Sequence, residues 1–249
     1  MSAAPWPAMV RAQTGMELRL LSRRGENLLV TLGIPVGLLL FFGSVRVLPG
    51  LGARPMDFLV PGILALAVIS TSFVNLGIAT AFERGSGVLK RLGGTPLPRS
   101  GLIAAKLAGV LIVEVLQVVV LIGLAVAVFG WQPGAGANLA IAALAILLGT
   151  GAFAGLGLLM AGTLRPEATL AAANGLYLLL LLIGGIVIPL DQLPGPLAAL
   201  SRALPASALS DALRIGLGAT GGDALTSLVV LLAWGTASVA VASRTFRWE

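Results

Sequence analysis

The chain has 249 residues, of which 57% are hydrophobic and only 10% charged, with a mean hydropathy of +1.02. A soluble domain carries about a quarter charged residues, so this chain has too little charge to cover a water-exposed surface and belongs in a bilayer. It contains no cysteine and no histidine, which excludes disulfides, thiol nucleophiles, Fe–S clusters and the commonest metal ligand and proton shuttle. The net charge of +6 fits basic loops resting on anionic lipid, not a nucleic-acid partner.

The first 25 residues are polar and basic. They lack the short apolar core and small-residue cleavage site of a signal peptide, so the first apolar stretch is expected to remain as a spanning helix. Within this start, Trp6, Met9, Val10, Met16, Leu18, Leu20 and Leu21 alternate with Arg11, Arg19, Arg23 and Arg24. That pattern suits a helix lying in the membrane interface, or equally an ordinary basic flank.

A spanning helix needs about 20 apolar residues. Six stretches meet that length, at about 27–46, 58–82, 102–129, 138–164, 168–190 and 224–243. The third is interrupted by Lys106 and Glu114, and Pro35, Pro61 and Pro189 lie within or at the ends of spans as kinks or boundaries. No internal repeat links the two halves.

Two connections are too elaborate for turns. After the second span, Glu83-Arg84-Gly85-Ser86-Gly87 leads into Val88, Leu89 and Leu92 on one face, with Lys90 and Arg91 between them and a Thr95-Pro96-Leu97-Pro98 stop. This reads as a helix of one to two turns, offering apolar knobs to a soluble partner or resting on lipid with its basic residues in the headgroups. Before the last span, Leu197, Leu200, Leu204, Leu209, Leu213 and Leu217 keep helical intervals, while Pro194, Pro196 and Pro205 divide the stretch into two short pieces. These are expected to turn back into the outer leaflet.

Orientation follows from the basic residues. Twelve Lys and Arg fall in the two termini and the second and fourth connections, and four fall in the others, Arg46, Arg54, Arg202 and Arg214. Both termini are therefore expected in the cytoplasm, in a multi-pass protein of the inner (plasma) membrane.

Few polar residues enter the spans. Glu114 is the one ionisable group well inside a span, with Gln117 three residues on. Ser72 and Asn75 (with Thr71) on the second span, and Asn174 with Tyr177 on the fifth, extend the set. These residues read either as a path for a cationic substrate or as hydrogen bonds between helices.

The ordered pieces Phe58-Leu59-Val60-Pro61-Gly62, Glu83-Arg84, Gly87, Leu89, Arg91-Leu92, Thr95-Pro96-Leu97, Lys106 and Leu204-Pro205-Ala206 to Arg214 cover nearly the whole chain. Together they resemble the permease subunits of type-2 ABC (ATP-binding cassette) exporters, of the drug- and polysaccharide-export branch. The resemblance implies an all-α polytopic membrane protein with one transmembrane domain over 1–249, an N-terminal interfacial helix and a re-entrant outer segment. It implies a dimer with a second permease copy, each subunit resting on a cytoplasmic ATP-binding subunit that holds the ATP and Mg2+. Glu83, Arg84, Gly87, Leu89, Lys90, Arg91, Leu92, Thr95, Pro96 and Leu97 then form the coupling helix, and Pro189, Asp191, Pro205 and Arg214 belong to the outer gate. The chain departs from longer members in having no large outer domain.

The chain has no Gly-Lys-Ser/Thr phosphate loop, so ATP would be hydrolysed in the partner. Catalytic residues are expected to be none, and no cofactor or metal is expected on the chain. An ion-gradient carrier is the alternative, but a single buried Glu114 gives it thin support. An intramembrane enzyme has no recognisable set of groups. The low charge and the single Tyr and four Trp favour an amphipathic drug-like or lipid substrate over a long glycan.

Overall fold

The computed structural model describes residues 4–23, 25–45 and 54–245. Among these the chain is all helical: α1 (Trp6–Arg23), α2 (Gly25–Ser44), α3 (Pro55–Gly85), α4 (Val88–Gly93), α5 (Arg99–Phe129), α6 (Leu139–Thr163), α7 (Pro166–Ile183), α8 (Gly195–Arg202), α9 (Pro205–Gly216) and α10 (Leu225–Thr245). Of the residues in the charge count, Arg24, Arg46 and Arg247 lie outside the described set, as does the expected end of the first span at residue 46.

Five helices, α3, α5, α6, α7 and α10, are long and apolar enough to cross a membrane. The expected first span is a helix, yet its described apolar part, Thr31–Ser44, is shorter than the other five. Pro35 and Pro61 sit inside α2 and α3 without ending them.

Helix α3 is the centre of the bundle. Every residue from Leu59 to Ile69 is buried, as expected of a helix apolar on all sides. Midway, at Ser70–Asn75, the helix widens into a π-helical turn before resuming to Gly85. Around it pack α2, α5, α6 and α9.

Helix α6 is the second hub and lies against α10, α9, α3 and α5. Small residues let it approach closely, as membrane helices require when hydrophobicity gives no preference for protein over lipid. Its Gly157 faces Gly77 of α3, and a Cβ there would lie 2.8 Å from the Phe73 carbonyl oxygen. On the α10 side, Ser238 Oγ donates to the Ala152 carbonyl at 3.1 Å. Gly157→Val should therefore force α3 and α6 apart at a cost of about 1–3 kcal/mol. The check is the thermal midpoint in detergent, expected to fall by several degrees, with Gly151→Val, which meets nothing within 4 Å, unchanged.

The expected fifth span overruns the observed helix. α7 stops at Ile183, not 190, because Gly185 takes a left-handed φ of +64° that ends it. The chain then turns inward, and Ile186 is fully buried with its carbonyl oxygen where a side chain on Gly62 of α3 would stand. A single 3-10 turn at Leu190–Gln192 follows, and then α8 and α9. These two are the short leucine-spaced pieces expected from the sequence, with Pro205 opening α9 where its missing N–H costs nothing.

Candidate functional site

At one end of the bundle, α3 hands over to α4. Gly87, at φ +73°, reverses the chain between them, and its carbonyl accepts from Arg91 N at 3.2 Å to start the short helix. Thr95 closes it, with Oγ1 donating to the Leu92 carbonyl at 2.6 Å. The sequence groups Val88, Leu89 and Leu92 on one outward apolar face, and the structure corrects this. Leu89 is fully buried and anchors the helix, Leu92 and Leu97 are half-buried, and the exposed surface consists of Val88, Lys90, Arg91, Thr95 and Pro96.

Beside α4 lies a cluster of charges. Lys106, in the second turn of α5, is buried, with its ammonium 2.7 Å from Glu83 Oε2 at the end of α3 and 3.2 Å from Glu17 Oε1 on α1. Gln13 Nε2 donates to the same Glu17 oxygen at 3.0 Å. The neighbouring Arg84 donates to the Leu164 carbonyl at the end of α6, a position where a cation suits the orphan carbonyls of a helix terminus. Glu17 is the member that sequence reasoning missed. Its signal was the polar stripe Gln13, Thr14 and Glu17 at helical spacing, which faces α5, where Thr14 Oγ1 lies 3.4 Å from the Ala105 carbonyl.

Next to this cluster a cavity of about 560 Å³ runs between α1 and the nearer half of α3, lined by Met16, Leu20, Ala79 and Phe82 among others. A separate, smaller hollow of about 50 Å³ shares Asn75 with it and is lined by Thr71 of α3 and by Val110 and Val113 of α5.

The polar residues of the spans do not converge on one path. Gln117 joins three helices, with Nε2 donating to the Thr31 carbonyl of α2 at 2.9 Å and Oε1 accepting from Thr71 Oγ1 of α3 at 2.9 Å. Glu114 is buried against α6, accepting from Thr150 Oγ1 at 2.6 Å. Ser72 is spent on its own helix, donating to the Val68 carbonyl at 2.6 Å. Asn174 stands on the exposed side of α7, bonded to the Leu170 carbonyl, while Tyr177 packs against the core. Of the set, Asn75 borders the cavity, and Asn75 and Thr71 border the smaller hollow.

At the opposite end, Arg214 of α9 is buried. It donates to the Gly185 carbonyl and to Asp211 Oδ1 at 3.1 Å, and its guanidinium carbon stands 4.0 Å from the centre of the Phe58 ring of α3. Partial desolvation raises the half-exposed Asp211 carboxyl above its ordinary range, and Arg214 opposes that shift. Ser210 Oγ adds a contact to the Gly184 carbonyl at 3.3 Å. Pro205 is buried at the start of the same helix, whereas Asp191 is exposed and Pro189 half-buried on the turn before α8. The α5–α6 turn rests on the far end of α9, with Gly134 N donating to the Leu217 carbonyl at 2.9 Å.

The family model described as ABC-2 type transporter matches residues 10–217. The chain is also similar to YvfS of Bacillus subtilis (strain 168), a protein named as a putative transport permease, with 26% identity over 206 residues that cover 79% of this chain and 80% of that one.

Proposed function

Because the chain belongs to the ABC-2 type transporter family, and is thus a multi-pass permease, we propose that it works as the membrane path of an ATP-driven exporter powered by a separate ATP-binding subunit docked on α4. The observation that carries this reading is the exposed surface of Val88, Lys90 and Arg91, set on a short helix at the end of the buried central helix α3. A partner pushing there acts directly on the hub of the bundle. The closing of its nucleotide sites is then passed on as a rigid-body change of the spans.

The excess of Lys and Arg in the connections at the α4 end supports a reading in which that end and both termini lie in the cytoplasm of an inner-membrane protein. The opposite end, where α9 and the turn at 184–188 cover α3, then forms the outer closure. The exposed apolar residues of α7, among them Leu178 and Leu182, face lipid or a second permease copy. The scarcity of charge and of aromatic residues supports an amphipathic drug-like or lipid cargo.

The test is reconstitution with an ATP-binding cassette subunit from the same organism. The two are expected to co-purify, with ATP hydrolysis by the pair and none by this chain alone. Hydrolysis by the isolated chain, or failure of any cassette subunit to associate, overturns the reading.

A further inference from the structure

The charge cluster at the α4 end joins three helices that have different relations to α4. Helix α3 leads straight into it, since Glu83 lies five residues before Val88. Helix α5 leaves it after the stop at 95–98. Helix α1 belongs to the far end of the sequence and packs along α5 and against α2. Between α1 and the nearer half of α3 lies the cavity of about 560 Å³, with Met16 and Leu20 on one wall and Ala79 and Phe82 on the other. Side-chain packing along that wall therefore does not tie α1 to α3.

Lys106 supplies the tie. Its ammonium reaches Glu17 on one side and Glu83 on the other, at 3.2 and 2.7 Å, and its side chain is 3% exposed. An ion triad in such a position is strongly directional. One ammonium is shared by two carboxylates from different helices, so removing either carboxylate leaves a neutral Lys–Glu pair that no longer spans all three helices. Arg84, bonded to the Leu164 carbonyl, fixes the end of α3 to α6 on its other side, so the terminus that carries Glu83 is not free to swing.

We infer that Lys106 is a positioning residue that makes α1 move as one body with α4 and the adjoining ends of α3 and α5 when the partner's nucleotide sites close. Force arriving at α4 passes to Glu83 and, through Lys106, to α1, so the unit that the partner moves is larger than the short helix it touches. This rests on the reading of α4 as the docking helix, but the tie itself is a property of the single chain. The two can therefore fail separately.

Two measurements decide it. In the chain alone, in lipid nanodiscs, amide exchange over residues 6–23 is compared for the parent, Glu17→Gln and Lys106→Arg. Glu17→Gln keeps the shape and removes the charge, and is expected to speed exchange in α1 about tenfold, as a locally loosened helix does. Lys106→Arg, which keeps the charge, is expected to stay close to the parent. Equal exchange in the parent and Glu17→Gln overturns the tie.

In the complex with the ATP-binding subunit, spin labels are placed at Ala12→Cys and Gly94→Cys, two exposed positions in a chain without native cysteine. The parent is expected to keep one narrow α1–α4 distance, nucleotide-free and vanadate-trapped alike. Glu17→Gln is expected to keep ATP turnover but to broaden or split that distance on trapping, which a merely structural role would not produce. A parent distance that itself changes with nucleotide, or a Glu17→Gln distance that stays narrow, overturns the proposal. If no cassette subunit associates, the docking reading fails, and the exchange measurement still decides the tie.

Discussion

Replacing Val88 and Arg91 together by Glu is expected to abolish co-purification of the ATP-binding subunit while the chain still inserts and folds. Both side chains lie on the exposed surface of α4, Val88 with 38% of its surface accessible, so the substitutions add charge where water already reaches. A reversed charge and a lost apolar contact at the centre of a small docking patch typically weaken association by about 2–4 kcal/mol or more, which is about 30-fold to 1,000-fold. The informative contrast is Leu89→Glu. Leu89 is fully buried, and a carboxylate forced into that place detaches α4 from the bundle. The thermal midpoint of the chain alone should then fall with Leu89→Glu and hold with Val88→Glu/Arg91→Glu. Retained partner binding by the double variant would place the docking surface elsewhere.

Arg214→Leu is expected to open the end of the bundle where α9 covers α3. The guanidinium holds the Gly185 carbonyl, Asp211 and the face of Phe58 at once. Asp211 is 41% exposed, so loss of that pair alone costs little. More is lost from a buried carbonyl left without a donor, about 1–3 kcal/mol, and from the desolvated cation–π contact, about 2 kcal/mol. Together these losses, roughly 3–5 kcal/mol, fall on the turn at 184–188, whose backbone already stands against Gly62. The measurement is labelling of a single cysteine at Val187 by a water-soluble thiol reagent, slow in the parent and faster by an order of magnitude or more in Arg214→Leu. Arg214→Lys, which keeps the charge but loses the fork, should fall between the two. Labelling that is equally slow in all three would show that Arg214 does not hold the turn closed.

The helices could be read from hydropathy because membrane spans are long and nearly free of charge. The α8–α9 pair could be read from leucine spacing broken by proline. The end of α7 could not, because glycine is common inside membrane helices, so the Gly184-Gly185 pair, a turn signal in a soluble chain, does not stand out inside an apolar span. The facing of α4 was also hidden. Val88, Leu89 and Leu92 fit one stripe on paper, but the rotation of a six-residue helix is set by the turn at Gly87, and that turn sends Leu89 inward. Glu17 was overlooked for a similar reason. A lone acid in a basic flank looks like one more solvated charge until Lys106, 89 positions later, is brought to it by α5. Gln117 was singled out in the sequence, but its partners Thr31 and Thr71 lie on two other helices, and a single chain read linearly gives no means of pairing them.

The π turn at Ser70–Asn75 has a meaning for the phase of the molecule. One extra residue in an α-helix rotates everything beyond it by about 100°, so the two halves of α3 are geared to each other through that single turn. Phe58 and Gly62 are presented to Arg214 and Ile186 at one end, and Glu83 to Lys106 at the other, in a relation that a uniform helix of the same sequence would not give. A helix that carried the turn to a different position, or lost it, would dial one end away from its partners while leaving the other in place. The middle of α3 thus sets the phase between its two ends with ordinary backbone alone.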